Sequence, residues 1–488
     1  MQPAEPGKKE SGVKNFVRAT ILGTALIAAS SAWAQWSSNP SQNLALSDIA
    51  GADQVQPKTA VLSNGNWYVS WFNSNPNDPP PSGYDVYYQL LNANGVEQFA
   101  HDGVQVAKLT LTSTQDYGLA IDASGNAVLA FLDDRSSPGI AQVTAIKMSP
   151  TGQSLWGANG VRLTNETNFH GNPKVAVTSD GGVVVAWITD DHIVVQKLDG
   201  NGHPVGSNAL SNGQMILSES GAFFQLSDLH ASDNGSFILS WIRQVSRGNR
   251  YLYANKISQT GQLMWGASHV HVYDGGSLQN GNFPYFLSDG NGGAVFSWYT
   301  SSPALQVFAQ HVLANGTEVF GHNGAAGAVT GTDNRVSPTA GYNPSTQEVF
   351  MFWTELDHLQ TVQGISAQKF SSAGMRQWSD SGLTIVPLGN DAQISPQTVQ
   401  TGSGALAFWI DAQVTGQGVV YGVKLDGAGN LLCSQFPVAN AASQKARVWA
   451  GIAPSGLATV AFQDYRSGNS DIFIQNINSD CSLGQQGR

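Results

Sequence analysis

Side chains able to do chemistry are sparse in this chain. Asp133 with Arg135, and Asp464 with Arg466, set a carboxylate two residues before a guanidinium. Such a pair could clamp a ligand or keep a carboxylate ionised for catalysis. It occurs twice at equivalent positions, whereas a catalytic site occurs once, so a structural ion pair anchoring a loop is favoured. His269-Val-His271 puts two imidazoles on one face of a strand, half of a metal site, but the sequence identifies no third ligand. Glu355, Asp357 and His358 follow Trp353 closely and could do acid–base work, or could be plain solvated loop residues. Arg243, Arg247 and Arg250 crowd one loop, and the guanidinium fork suits a carboxylate bidentately. These six residues, Arg243, Arg247, Arg250, Glu355, Asp357 and His358, form the candidate binding rim. No H-E-x-x-H, P-loop or EF-hand spacing occurs. No catalytic residue, metal or cofactor is therefore assigned.

The elements that would position these groups are short strands. Asn172 to Gly202 reads as three of them with two tight turns. Val175 and Val177 alternate with smaller neighbours, and Val183-Val184-Val185-Ala186-Trp187 is a β-branched run suited to burial on both faces. Ser179-Asp180-Gly181-Gly182 supplies the positive-φ positions of a hairpin.

The Trp187 position recurs as Trp71, Phe131, Trp187, Trp241, Trp298, Trp353, Trp409 and Phe462, at intervals of 60, 56, 54, 57, 55, 56 and 53 residues. A second frame follows in each copy. Gln89, Gln196, Gln310, Gln368 and Gln475 end the third strand in five copies, and six residues later comes a glycine such as Gly95, Gly202 or Gly316, or Cys481 in the last copy. An aromatic stands four residues beyond that in Phe99, Trp156, Trp265, Phe320 and Trp378, with Gly206 and Cys433 at the same position elsewhere. Two coupled frames at a period of 50 to 60 residues predict an all-β, eight-bladed propeller of four-stranded antiparallel blades.

The copy holding Phe462 ends after its third strand, whereas the segment from Trp36 to Ser47 resembles the fourth strands of other copies. Residues 35–47 are therefore expected to complete the last blade and close the ring, within one domain spanning 35–488. Lysines follow the Gln position in five copies, as Lys147, Lys197, Lys256, Lys369 and Lys424, with His311 in a sixth. They could meet an anionic partner or form a solvated row that protects the sheet edge.

Residues 1–34 read as a signal peptide: Lys8, Lys9, Lys14 and Arg18 precede an apolar run, and Ala32-Trp33-Ala34 fits the cleavage pattern. The expected product is secreted or periplasmic, without a membrane span or lipid anchor. Cleavage would remove four basic residues and two acidic ones (Glu5 and Glu10), moving the net charge from −11 to −13. That argues against nucleic acid as a partner.

The second frame resembles the tryptophan-docking repeat of eight-bladed quinoprotein dehydrogenases and of the propeller lipoprotein of the outer-membrane barrel-assembly machinery, as in Ser149-Pro-Thr-Gly-Gln-Ser-Leu-Trp156. The copies are also similar to the W-x-D-x-R…D-I-Y-A-Q repeats of secreted bacterial surface proteins, through Phe131-Leu-Asp-Asp-Arg135 and Asp471-Ile-Phe-Ile-Gln475. The resemblance implies that Trp36, Phe99, Trp156, Trp265, Phe320 and Trp378 dock on the glycine turn of the next blade. It also implies a disulfide, because Cys433 holds the docking-aromatic position of blade seven and Cys481 the docking-glycine position of blade eight. The three arginines resemble the carboxylate-holding cluster of sialidase-like propellers, although here they come from one loop.

The expected function is non-catalytic binding or scaffolding of a protein or glycan through the rim of variable loops. The alternative is an enzyme, either a quinoprotein-like oxidoreductase or a glycan-active hydrolase or lyase. Unpaired carboxylates or a histidine cluster at the channel mouth would favour the enzyme. A channel of small and amide side chains would favour binding.

Overall fold

The run Val183–Thr189 forms a strand buried along its whole length. Its β-branched residues pack against neighbouring blades on both faces, which offsets the entropy of ordering an extended segment. In the computed structural model, which describes residues 35–74, 83–112, 114, 116–205 and 214–485, this pattern repeats around a ring. The expected signal peptide, most of the link from Asn73 to Gly83, and Gly206 lie outside the described residues.

There are eight antiparallel blades. Blade three shows the plan: His170–Val177 innermost, then Val183–Thr189, His192–Leu198 and Gln214–Leu217 outermost. Blade five departs from it, because two short pieces, Ser277–Leu278 and Phe286–Ser288, share the inner position beside Ala294–Ser302. The inner strands contact one another in ring order, and Lys445–Ile452 of blade eight meets Gln54–Val61 of blade one. All eight slot aromatics, Trp71 to Phe462, are buried in the second strands. The only helical turn among the described residues is the three-residue 3-10 turn Asp233–Gly235, and no helix there is long and apolar enough to cross a membrane.

The ring is closed by the N-terminal segment. Leu44–Ser47 pairs antiparallel with Asp471–Ile477, with Leu44 opposite Ile474. The paired strand is thus shorter than residues 35–47, and Trp36 leads into it. Trp36 donates from Nε1 to the Ala93 carbonyl at 2.9 Å, and its ring covers Gly95 so closely that a Cβ there would lie 2.6 Å from it. Trp156 on Gly202 and Trp265 on Gly316 repeat the arrangement. Phe320 lies on Gly374, Trp378 on Gly429, and Phe99 beside Gly152. Glycine is needed twice over at these turns, for the close approach and for the positive φ, except at Gly152, where only the positive φ requires it.

The Gln position owes its identity to the strand it faces. Gln368 accepts from the Trp378 amide and donates to the Ser379 carbonyl. Gln310 does the same with Phe320 and Gly321. One buried amide thus satisfies a donor and an acceptor where the chain enters its outer strand. The Cys433–Cys481 disulfide joins blades seven and eight where other junctions use an aromatic on glycine. Arg135 pairs with Asp133 at 2.6 Å. Arg466 pairs with Asp464 at 2.5 Å and also donates to Ser41 and Asn43 of the closing segment.

The lysine row is neither solvated nor displayed to a partner in four of its five positions. The side chains of Lys147, Lys197, Lys256 and Lys369 are between 2% and 12% exposed. Lys147 pairs with Asp122, Lys197 with Asp180, Lys256 with Asp233 and Lys369 with Glu348, at 2.5 to 3.1 Å. His311 pairs with Asp289 at 3.0 Å. Several lysines also donate to a carbonyl of the next blade, as Lys147 does to Gly200 and Lys369 to Gly427. Lys147, Lys256 and Lys369 are thus buried ties between blades, while Lys197 pairs with Asp180 of its own blade. Blade seven has no acidic residue in the corresponding turn, and there, among the described residues, Lys424 donates only to the Ser479 carbonyl.

Candidate ligand site in the central channel

The inner strands carry a β-bulge near the rim of variable loops, where each blade is entered. The register shifts between Val55 and Lys58, Gly171 and Lys174, Leu226 and Asp228, Val336 and Thr339, Ile394 and Gln397, and Ala446 and Trp449. Gln56, Asn172, Ser337, Ser395 and Arg447 occupy the left-handed region there, with φ between 48° and 58°. Proline follows four of them, as in Gln56-Pro57-Lys58 and Asn172-Pro173-Lys174. Proline is tolerated because the bulge leaves ladder hydrogen bonds unmade.

The residue just past each bulge occupies one equivalent position, opposite the residue that precedes the slot aromatic. Lys58 faces Ser70, Lys174 faces Ala186, Asp228 faces Ser240 and Trp449 faces Ala461. Gly118 holds the position in blade two, opposite Ala130. In blade five the split inner strand brings Tyr285 there, next to Phe286. Together these residues line a channel cavity of about 1030 Å³.

The wall is polarised. Asp116 sits between two ammonium groups, 2.6 Å from Lys58 Nζ and in direct contact with Lys174. Both lysine side chains are at most 10% exposed. Burial, countered by Asp116 but reinforced by the charge of Lys174, lowers the Lys58 pKa to about 8. Burial would lower Lys174 too, but Tyr285, Asp116 and Asp228 outweigh it and hold its ammonium above the ordinary range. Asp116 is held well below the usual carboxylate range, the two lysines overcoming its burial. Two cations sharing one carboxylate leave one of them easier to deprotonate.

Asp228 Oδ2 lies 2.9 Å from His230 Nε2 and accepts from the Phe286 amide. Burial opposes the charge on both, yet the pairing leaves the Asp228 pKa lowered and that of His230 raised. Across the channel, Tyr285 of blade five meets Trp449 of blade eight edge-on, with ring centroids 5.8 Å apart. Lys174 Nζ stands 4.9 Å from the Tyr285 ring and Lys58 Nζ 5.2 Å from that of Trp449. Burial pushes the Tyr285 hydroxyl up to about 12. Arg447, exposed at the bulge beside Trp449, makes no hydrogen bond or ion pair with the described residues. The opposite arc, from blades six and seven, offers neutral groups: Ser337, Thr339, Ser395 and Gln397.

The residues singled out from sequence lie elsewhere and do not converge. Arg243 holds the chain's own Glu219, with Nε 2.6 Å from the carboxylate, and stacks near Tyr253. Arg247 is in a left-handed turn, and Arg250 lies in the third strand with Nε buried and unpartnered. Glu355 is not a solvated loop residue: it is 7% exposed and paired with Arg335 at 3.0 Å. Asp357 accepts from the Thr361 and Val362 amides of its own loop, and His358 is exposed. His269 and His271 part company, His269 edge-on to Trp241 and His271 stacked on Tyr253 at 4.1 Å.

The one group with metal-like spacing among the described residues is Asp48, His101 and Asp102. His101 bridges Asp48 (3.1 Å) and Glu97 (3.2 Å), and His322 bridges Asp274 (3.1 Å) and Glu318 (2.9 Å) in the same way. Recurrence marks both as ties between the outer strand of one blade and the next blade. The channel residues carried a sequence signal of their own: the paired triplets Gln56-Pro57-Lys58 and Asn172-Pro173-Lys174 stand equally far before Trp71 and Trp187.

No protein-family profile and no curated relative matches the chain. Solved structures are similar at the level of the backbone. An ulvan lyase described as a new polysaccharide lyase family, PL25, has 10% identity and a TM-score of 0.47, over 91% of this chain and 98% of that one. The K499G mutant of NanB sialidase from Streptococcus pneumoniae has 11% identity and a TM-score of 0.37, over 91% and 71%. Puromycin hydrolase has 11% identity and a TM-score of 0.42, and this chain, 88% covered, spans only 61% of that one. At such distances neither activity nor site residues transfer.

Proposed function

We propose that this is an exported, non-catalytic binding propeller that seats a glycan or protein partner on its variable-loop face, at the mouth of the central channel. The observation that carries the reading is the state of the channel wall. Its two carboxylates are already engaged, Asp116 by the ammonium groups of Lys58 and Lys174 and Asp228 by the His230 imidazole, while Tyr285, Trp449 and Arg447 remain at least partly exposed. A roomy cavity with aromatic surface and a few convergent polar groups is the usual form of a ligand site. Exposed apolar side chains on the same rim, including Phe169, Phe223, Leu359 and Val414, extend the contact surface. The disulfide suits an oxidising compartment. Glycan-array and pull-down experiments with wild type and Trp449→Ala test the reading: ligands captured by wild type should be lost or weakened in the variant. Capture that is indifferent to Trp449 would overturn it.

One observation favours the enzyme alternative. Asp228–His230 occurs once around the ring, not in every blade, and the imidazole is 43% exposed. An aspartate-oriented histidine in a channel can act as a general acid or base. Turnover of glycans by wild type, abolished in His230→Gln, would establish that reading in place of binding alone.

A further inference from the structure

We infer that the channel seat takes an acidic sugar, a pyranose bearing a carboxylate or sulfate; the inference rests on the binding reading above. Four features of the wall converge on that chemistry. First, Tyr285 and Trp449 offer aromatic surface at 83° to one another, with Tyr285 48% exposed. The C–H face of a sugar ring packs on such a surface without needing hydrogen bonds from it.

Second, Arg447 stands two residues from Trp449 on the same inner strand and has no ion-pair partner among the described residues. Of the five left-handed bulge residues, Gln56, Asn172, Ser337, Ser395 and Arg447, it alone is charged. A free guanidinium beside an aromatic ring suits an oxyanion held bidentately.

Third, the channel reverses the sign of the protein. Its charged lining is Lys58, Lys174 and Arg447 against Asp116 and Asp228, with His230 in addition, in a chain of net charge −11. A cation-rich concavity in an acidic molecule focuses the field on an entering anion. Asp116 is held between two ammonium groups and Asp228 is engaged by His230, so neither carboxylate stands unpaired in the path of an entering anion.

Fourth, the opposite arc supplies neutral donors and acceptors, Ser337, Thr339, Ser395 and Gln397, suited to sugar hydroxyls. The cavity of about 1030 Å³ has room for a mono- or disaccharide end. An acidic peptide would use the cations, but it would leave the aromatic pair and the hydroxyl arc without a ring to face.

The test titrates the whole protein with glucuronic acid, a sulfated glucose, glucose and inorganic sulfate, by calorimetry and tryptophan fluorescence. Both acidic sugars should bind about tenfold or more tighter than glucose, and than sulfate alone. Arg447→Gln should bring acidic and neutral sugars to the same affinity, and Trp449→Ala should weaken both. Both side chains are partly exposed, and unchanged circular dichroism will show that the variants fold. Preference for the carboxylate over the sulfate, or the reverse, identifies the source of the oxyanion. Equal binding of glucose and glucuronic acid, or a preference that survives Arg447→Gln, would overturn the inference and leave the channel-binding reading standing. So would Trp449-dependent capture of an acidic peptide with no sugar bound. No Trp449-dependent binding of any ligand would overturn both.

Discussion

Gln475 donates from Nε2 to the carbonyl of Ser37 at 2.8 Å, across 438 residues of chain. Gln368 and Gln310 make the same contact inside their own blades, to Ser379 and Gly321. The closing segment is therefore received by the last blade as if it were that blade's own continuation. Asn43 strengthens the junction by donating to Gln475 Oε1 at 2.9 Å.

Deleting residues 35–47 should leave Asp471–Ile477 as an open sheet edge next to an uncovered Gly95 turn. The expected result is a lower unfolding temperature and concentration-dependent association, read by scanning fluorimetry and size-exclusion chromatography. A truncated protein that stays monomeric and melts unchanged would contradict the role given to Trp36 and Leu44–Ser47.

Trp187 is 1% exposed and fills the space between blades. Trp187→Ala should cost about 3–5 kcal/mol in urea unfolding, from lost transfer energy and the cavity left behind. A loss below about 1 kcal/mol would mean that the neighbouring blades collapse into the space.

The Cys433–Cys481 bridge spans a sequence separation of 48 residues. Loop-closure entropy sets a ceiling near 4 kcal/mol on its contribution. Cys433→Ser with Cys481→Ser, or reduction of the wild type, should lower stability by up to that amount. Thiol titration of the unfolded, unreduced protein should find no reactive cysteine.

The histidine ties should make stability depend on pH. The Glu97 hydrogen bond, against burial and with help from Asp48, pushes His101 from 6.5 up to about 9, and Glu318 likewise raises His322. A folded-state pKa above the unfolded one means that the contribution is complete below pH 6.5 and is lost as pH rises toward about 9. The unfolding temperature of wild type should therefore fall over that window more than that of a His101→Gln, His322→Gln double variant. Parallel curves would show that the ties contribute nothing.

Asp116 neutralises two buried lysines, so Asp116→Asn should be more damaging than the loss of one hydrogen bond. A cost of about 3 kcal/mol is expected, measured by denaturant unfolding. Replacing Lys58 with Met in the same variant should recover part of it by removing one uncompensated charge. No recovery would mean that the two ammonium groups do not repel through that site.

The eight slot aromatics and the strand that closes the ring could be read in the chain, because each depends on a spacing repeated within or between adjacent units, which antiparallel blades convert directly into contacts. The pairing of the two cysteines followed from the resemblance to the docking repeat. Packing decided what spacing could not. Nothing in the row from Lys147 to Lys424 says whether an ammonium points to water or, as Lys256 does toward Asp233, into a blade junction. By sequence Glu355 stands only two residues after Trp353, where a loop is expected, yet it lies inside the strand Glu348–Leu356, and Arg335 directly opposite it on the inner strand pairs with it. The channel site is furthest from the sequence. Lys58, Asp116, Lys174, Tyr285 and Trp449 come from five blades, and Tyr285 and Trp449 meet only because the ring closes with the curvature of eight. Side chains that converge on an axis are separated in sequence by whole blades. Their distances follow from the number and tilt of those blades, a property of the assembled ring and of no single repeat.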